Sequence, residues 1–308
     1  MLDTRKRTLL AEAALLLAGL IWGSGFVVMK NTLSALPINW LLALRFLIAA
    51  ILLCAVLWRK VIRADKAALI AGGACGVLLY LAYYMQTAGL QFTTAGNNAF
   101  LTAVYVVLVP FLHWAVSKKS PGPRAVIAGC LCLAGVGVIA LQSNFTVNTG
   151  DALTLLCGVL YALHIMAVSR FTRQGVDVLL LTALQFVGTT VCAATVGLVF
   201  EPFPAALVLL APETFLSLLY LGIGCTLLAL LLQNIGLRFA PPSHASLLMS
   251  TEAPFGFLFG IIFLAEPFTL RFALGAGLIA GSIVLSELGQ KQQAPLQVKE
   301  EGAVSSAK

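Results

Sequence analysis

The residues best placed to do chemistry are a few polar groups set inside long apolar runs. Glu252 stands about ten residues into one such run, away from both of its ends. A carboxylate at mid-membrane costs about 2.5–3.5 kcal/mol to insert, so it demands a role, either contact with a substrate amine or carriage of a proton. Ala245, Met249, Glu252 and Gly256 share one helical stripe, with Ser246 and Ser250 beside it. Pro254 cannot donate to the carbonyl of Ser250, which opens the helix next to the carboxylate. The competing reading is a structural glutamate paired with a Lys or Arg. Arg45, some eight residues into another run, is the basic candidate. A packing or snorkelling role is favoured for it over pairing with Glu252.

Two further stripes combine polar and aromatic groups. Tyr80, Tyr83, Tyr84 and Thr87 recur at i, i+3, i+4 and i+7 with Gln86 on a flanking face, and Asn98, Thr102 and Tyr105 follow at i, i+4 and i+7. Apolar walls with a few fixed hydrogen-bonding groups are what a solute cavity requires. An interfacial aromatic belt accounts for Tyr83 and Tyr84 but not for the second stripe. Tyr161 and His164, three residues apart and on nearly the same face, either line the cavity, or His164 is a satisfied hydrogen-bond donor inside the helix bundle. The expected substrate-binding set is Trp22, Tyr80, Tyr83, Gln86, Asn98, Thr102, Tyr105, Tyr161, His164, Gln233, Met249 and Glu252. No Walker loop, HExxH or GxSxG occurs, and His113, His164 and His244 have no metal-ligand spacing, so neither cofactor nor metal nor catalytic set is expected. The seven cysteines all fall inside apolar runs and read as small packing residues.

These groups need helices to hold them. Of 308 residues, 60% are apolar and 10% charged, with mean hydropathy +0.99. A soluble domain carries about 25% charged residues, so an ordinary soluble enzyme, a disordered chain and a nucleic-acid module are excluded. Ten spans of roughly 20 residues fit: Leu9–Val28, Ile38–Leu57, Ala67–Thr87, Ala95–Val116, Arg124–Leu141, Asp151–Ser169, Val178–Phe200, Glu213–Ile235, Ser243–Leu264 and Phe272–Leu288. Lipid bilayer and a small-molecule substrate are the expected partners; nucleic acid is not, and the oligomeric state is left open.

The net charge of +7 is informative through its placement. Sixteen of the 19 basic residues, from Arg5, Lys6 and Arg7 to Lys291, Lys299 and Lys308, fall on one side of the ten spans. Only Lys30 and Arg271 fall on the other, and Arg45 lies within a span. The positive-inside rule therefore puts both termini in the cytoplasm of a plasma (inner) membrane protein. Arg5–Arg7 ahead of an apolar run imitates a signal peptide, but without a small-x-small cleavage site it reads as an uncleaved first helix. Lys30 anchors the outer end of that helix or faces the outer mouth, and Glu266 at a helix end reads as loop structure. The polar stretch 289–308 is expected to be a disordered cytoplasmic tail.

The chain also resembles itself. QTAGLQF at 86–92 aligns with QNIGLRF at 233–239, an offset of 147 that also pairs Leu101 with Leu248 and Arg124 with Arg271. Gly19-x-x-Trp22 is similar to Gly158-x-x-Tyr161. SNFTVNTG at 143–150 is the natural boundary, giving units 1–143 and 151–288. Five spans per unit is an odd number, so the second unit lies inverted, as in transporters with a central site. Pro110 and Pro254 are expected to interrupt the fourth and ninth helices near that site.

Ten spans in two halves, GLIWGSGFVV in the first helix, and GLRFAPPSHASLLMSTEAPFGFLFGIIFLAEPFTLRFALGAGLIAGSIVL near the end resemble the drug/metabolite transporter superfamily, EamA-type branch. The pattern Glu252-x-Pro254 followed by Glu266 is similar to that family's; in the first half Pro110 is present, but Lys119 stands where the later Glu would be. The resemblance implies an all-α membrane protein of two inverted five-helix repeats around a central cavity. It further implies export of amino acids or related compounds by alternating access, without nucleotide hydrolysis. Proton coupling through Glu252 is a role open within that reading. An intramembrane enzyme acting on a lipid-linked substrate, with Glu252 and His164 as acid and base, is the alternative from another class.

Overall fold

A computed structural model describes residues 4–118, 122–140, 147–239 and 248–291. The tail from 292 onward, Asn144 in the boundary stretch, Lys119, His244, Ala245 and Ser246 lie outside the described residues. Among the described residues the chain is helical without a strand. The helices are α1 (Thr4–Thr32), α2 (Ile38–Val56), α3 (Trp58–Val61), α4 (Lys66–Phe92), α5 (Ala95–Thr102), α6 (Tyr105–Ser117) and α7 (Pro123–Ala140). The second half supplies α8 (Thr149–Arg173), α9 (Val178–Phe200), α10 (Ala206–Leu210), α11 (Pro212–Leu219), a π-helical segment Tyr220–Leu228, α12 (Ala229–Phe239), α13 (Glu252–Leu264) and α14 (Leu270–Lys291).

Capping starts these helices where the sequence changes from polar to apolar. The Asp65 carboxylate accepts from Ala68 N, Thr94 Oγ1 from Asn97 N, and Asp177 from Leu179 N and Leu180 N. Seven stretches are long and apolar enough to cross a bilayer, and three shorter apolar helices lie at Val126–Ala140, Glu252–Leu264 and Leu270–Leu285. Their outward faces carry apolar side chains such as Leu133, Leu198, Phe200 and Leu274, a surface suited to lipid and not to water. The protein is a multi-pass, all-helical membrane protein.

The repeat is visible in backbone geometry. Helix α6 runs Tyr105–Ser117 and α13 runs Glu252–Leu264, so both bounds differ by the same 147 residues. Each ends on a left-handed cap, Lys118 at φ 59° and Ala265 at φ 52°, again 147 apart. Upstream, Ala103-Val104 breaks the fourth span and Ser250-Thr251 breaks the ninth at the equivalent place. In the ninth span the break falls at Ser250, whose carbonyl Pro254 leaves without its helical donor, as expected; in the fourth it falls ahead of Pro110 and of Val106, the residue whose carbonyl that proline cannot serve. Pro110 lies inside α6, and Pro254 lies in the first turn of α13.

Packing joins the halves more than it separates them. α7 lies along α14, α4 along α8 and α9, α2 along α9, and α1 along α12 and α13, while neighbours within one half touch less. Gly19 and Gly23 on α1 make one of these approaches feasible, because a Cβ at either would collide with Thr251 or Phe255. The core is therefore shared between the two halves, and the breaks in both lie beside it.

Candidate functional site

A cavity enclosing about 30 Å³, room for about two water molecules, lies among α1, α2, α4, α5, α8, the π-helical segment and α13. Its walls include Trp22, Phe26 and Met29 from α1, Arg45 from α2, Tyr83 and Gln86 from α4, and Thr102 at the end of α5. Cys157 and Tyr161 of α8, Cys225 of the π-helical segment and Glu252 at the start of α13 complete it. Six of the expected residues meet here: Trp22, Tyr83, Gln86, Thr102, Tyr161 and Glu252.

The aromatic wall is built on Tyr161. Its ring meets Trp22, Tyr83 and Tyr105 edge-on at 6.2, 6.5 and 5.2 Å, and its hydroxyl donates to Gln233 Oε1 at 2.7 Å. Trp22 Nε1 donates to the Cys225 carbonyl at 2.8 Å, tying α1 to the π-helical turn. Gln86 Nε2 donates to Thr102 Oγ1 at 3.3 Å, and Asn98 Nδ2 donates to Gln86 O and Thr154 Oγ1 at 3.1 and 2.8 Å. Gly158 lets α8 press against the break after α5: a Cβ there would sit 3.3 Å from the Thr102 carbonyl.

The other expected residues stand around the cavity or apart from it. Asn98, Tyr105, Gln233 and Met249 are buried without lining it. His164 stacks on Tyr161 at 5.7 Å and bonds Gln185 Oε1 through Nε2 at 3.0 Å. Tyr80 points to Asn39 Oδ1 at 2.9 Å, and Asn39 in turn donates to Glu201, so this tyrosine serves the contact of α2 with α9. Tyr84 is packed on the outside of the core, with its ring 5.9 Å from Tyr80.

Arg45 corrects the sequence expectation. It does not snorkel to an interface; it is 2% exposed, and it lines the cavity. Nε donates to Thr226 Oγ1 at 2.9 Å, and that hydroxyl spends its own proton on the Leu221 carbonyl at 2.7 Å. Nη1 reaches Met29 Sδ at 3.5 Å, and the guanidinium carbon lies 4.9 Å from the Tyr83 ring centroid. Glu252, 3% exposed, faces the same space. No ion pair joins these two buried ionisable side chains; Lys30 pairs with Glu266 and Lys60 with Asp177. Tyr105 Oη, Gln233 Nε2 and Glu252 Oε1 are buried without a hydrogen-bond partner. Tyr105 and Glu252 are also repeat mates, each the first residue after a helix break.

Sequence reasoning missed Met29, Cys157, Cys225 and Thr226. Of these only Thr226 had a local signal, a hydroxyl within a glycine-containing run, and nothing in the sequence marked the π-helical turn that aims it.

Residues 9–141 and 148–288 each match the EamA-like transporter family. The chain belongs to this family. It is 30% identical over 282 residues to an uncharacterised transporter of Archaeoglobus fulgidus, covering 92% of this chain and 87% of the relative. A second A. fulgidus transporter, also uncharacterised, is 30% identical over 292 residues, covering 90% of this chain and 97% of its own. The uncharacterised transporter YetK of Bacillus subtilis is 25% identical over 314 residues, covering 93% and 89%. A crystal structure superposes with TM-score 0.66 over 92% of this chain and 98% of its own, at 20% identity, which establishes likeness of fold. The protein is thus a membrane transporter of small molecules built from two EamA repeats.

Proposed function

We propose that this EamA transporter exports amino acids or closely related zwitterions across the plasma (inner) membrane by alternating access, without nucleotide hydrolysis. The observation that carries this reading is that two buried ionisable side chains of opposite type, Arg45 and Glu252, line one small cavity with no ion pair between them. A guanidinium held by its Nε, with only a thioether sulfur on Nη1, has further N–H donors for a carboxylate, and Glu252 accepts from an ammonium. A zwitterion satisfies both charges, whereas a simple acid or amine leaves one of them uncompensated.

About 30 Å³ is far below the roughly 300 Å³ of a ligand pocket, so binding requires expansion. The breaks at Ala103-Val104 and Ser250-Thr251 are where helices can bend without losing a full ladder of hydrogen bonds. Repeats 1–143 and 151–288 interlock, so access changes by bending at these breaks while α2 and α9 hold the halves together. Both termini and the tail 289–308 lie in the cytoplasm, by the placement of basic residues. Glu252 also serves as the site of proton coupling, since substrate ammonium and proton compete for one carboxylate. The lipid-linked enzyme reading needs Glu252 and His164 to exchange a proton, and no observation favours it: His164 bonds Gln185 through Nε2 and does not line the cavity that Glu252 faces.

The test is a thermal-shift series on purified protein with amino acids, their decarboxylated amines and their deaminated acids, followed by flux in proteoliposomes. Stabilisation by the zwitterions alone is expected. Equal stabilisation by the amines, or unchanged flux and pH dependence in Glu252→Gln, overturns the assignment of the two charges.

A further inference from the structure

At one end of the bundle three separated segments are tied by a single lysine and a single glutamate. Lys30 Nζ, in the last turn of α1, donates to the Thr93 carbonyl at 2.7 Å and lies 3.6 Å from Glu266 Oε1. Glu266 follows the left-handed cap of α13 and accepts from Ala95 N at 2.6 Å and Gly96 N at 3.0 Å. Those are first-turn N–H groups of α5, which have no acceptor within their own helix. The glutamate side chain is 9% exposed, so the contact is largely sheltered from solvent screening. The first broken span is thereby fastened at its head to the far end of the second broken span and to α1.

The repeat provides a direct comparison with the opposite end. The offset of 147 carries Glu266 to Lys119, and Ala95 and Gly96 to Pro242 and Ser243. A lysine cannot accept a hydrogen bond, and a proline has no N–H to donate. Lys30 maps to Ser169, beside Arg170, through the match of Gly19-x-x-Trp22 with Gly158-x-x-Tyr161. By residue type alone the mirror position cannot form the same contact. One ion pair at that end, Lys60–Asp177, is half-exposed and links α3 to the start of α9, touching neither broken span.

We propose that Lys30, Glu266 and the α5 N-terminus form a one-sided latch that holds the outer mouth of the central cavity shut, so that the unloaded transporter faces the cytoplasm. The latch rests on the alternating-access reading and on the orientation given above. Opening outward requires α5 and the end of α13 to part, which releases two backbone donors and a carboxylate at once. Opening inward leaves these contacts intact.

Cys157, on the cavity wall, is a built-in reporter. The full chain is labelled with a membrane-impermeant maleimide in right-side-out and inverted vesicles, and modification of Cys157 is followed by mass spectrometry. Wild type is expected to react faster from the cytoplasmic face. Lys30→Met and Glu266→Gln should each raise the outer rate about fivefold, which corresponds to ~1 kcal/mol. The double variant should exceed either single but fall short of their product, because the two share the Lys30–Glu266 contact while the Thr93 bond belongs to Lys30 alone. Unchanged outer rates in both variants overturn the latch while leaving alternating access intact, and equal rises on both faces overturn it as mere loosening. A wild-type Cys157 sealed from both faces even with substrate present overturns alternating access, and the latch with it.

Discussion

Replacing Arg45 with methionine should separate stability from function in opposite directions. The side chain lies fully inside the core with no carboxylate joined to it. Losing its bond to Thr226 removes a charged hydrogen bond of about 1.5–3 kcal/mol, and losing the contact with Tyr83 removes about 2 kcal/mol more. Against these stands the desolvation of a buried cation, several kcal/mol, which methionine of similar length does not incur. Thr226 keeps its donor bond to Leu221, so no buried proton is orphaned. The terms nearly cancel, and the melting temperature of Arg45→Met should equal or exceed that of wild type. Transport should fall steeply: a carboxylate contact of about 1.5–3 kcal/mol is roughly a 10- to 150-fold loss in kcat/KM. Differential scanning fluorimetry and counterflow in proteoliposomes read the two effects. A melting temperature lowered by more than about 4 °C, or ~2 kcal/mol at this size, would refute the reasoning. Arg45 would then be a structural anchor.

Three other outcomes follow from the geometry. Tyr161→Phe removes the donor to Gln233 and leaves that buried amide oxygen without its hydroxyl partner, so stability should drop by about 1–3 kcal/mol in thermal melts while expression persists. Gly158→Val drives a branched side chain into the Thr102 carbonyl, and about 1–3 kcal/mol of overpacking should lower the melting temperature and slow substrate binding at the adjoining break. Burial pushes the Asp177 carboxyl up, but the Leu180 N–H, Lys60 and the Leu179 N–H outweigh it and hold it below its ordinary value of 3.8. Its contribution is therefore present above that value and fades as pH falls through it toward the depressed one. The stability gap between wild type and Asp177→Asn, measured by melts from pH 6 to pH 3, should narrow at the acid end; a gap that widens there contradicts the assignment.

The ten spans were legible because membrane burial is written in composition: repeated stretches of about 20 apolar residues bounded by charge are too long and too apolar for a water-facing fold. The inverted repeat was legible too, and α6 and α13 share their bounds across the offset found in QTAGLQF and QNIGLRF. Glu252 stood out because an ionisable group at mid-span is costly wherever it points. The break beside Glu252 was legible from Pro254, which opens the Ser250 carbonyl, but the fourth-span break was not legible from Pro110. Ala103-Val104 contains no residue that forbids a helix, and Pro110 acts one turn back on Val106, past that break.

What the sequence determined alone was the set of groups that the bilayer makes expensive and the helices that carry them. Which of them meet was decided by tertiary structure. Tyr80 and Tyr83 belong to one stripe, yet one turns to Asn39 and the other to the cavity, because α4 packs against two different neighbours. Arg45 has a stem long enough to reach either an interface or the core, so its position in α2 says nothing of its direction. Only the Thr226 hydroxyl, aimed by a π-helical turn of the other half, settles it inward, where its guanidinium and the Glu252 carboxyl share one space.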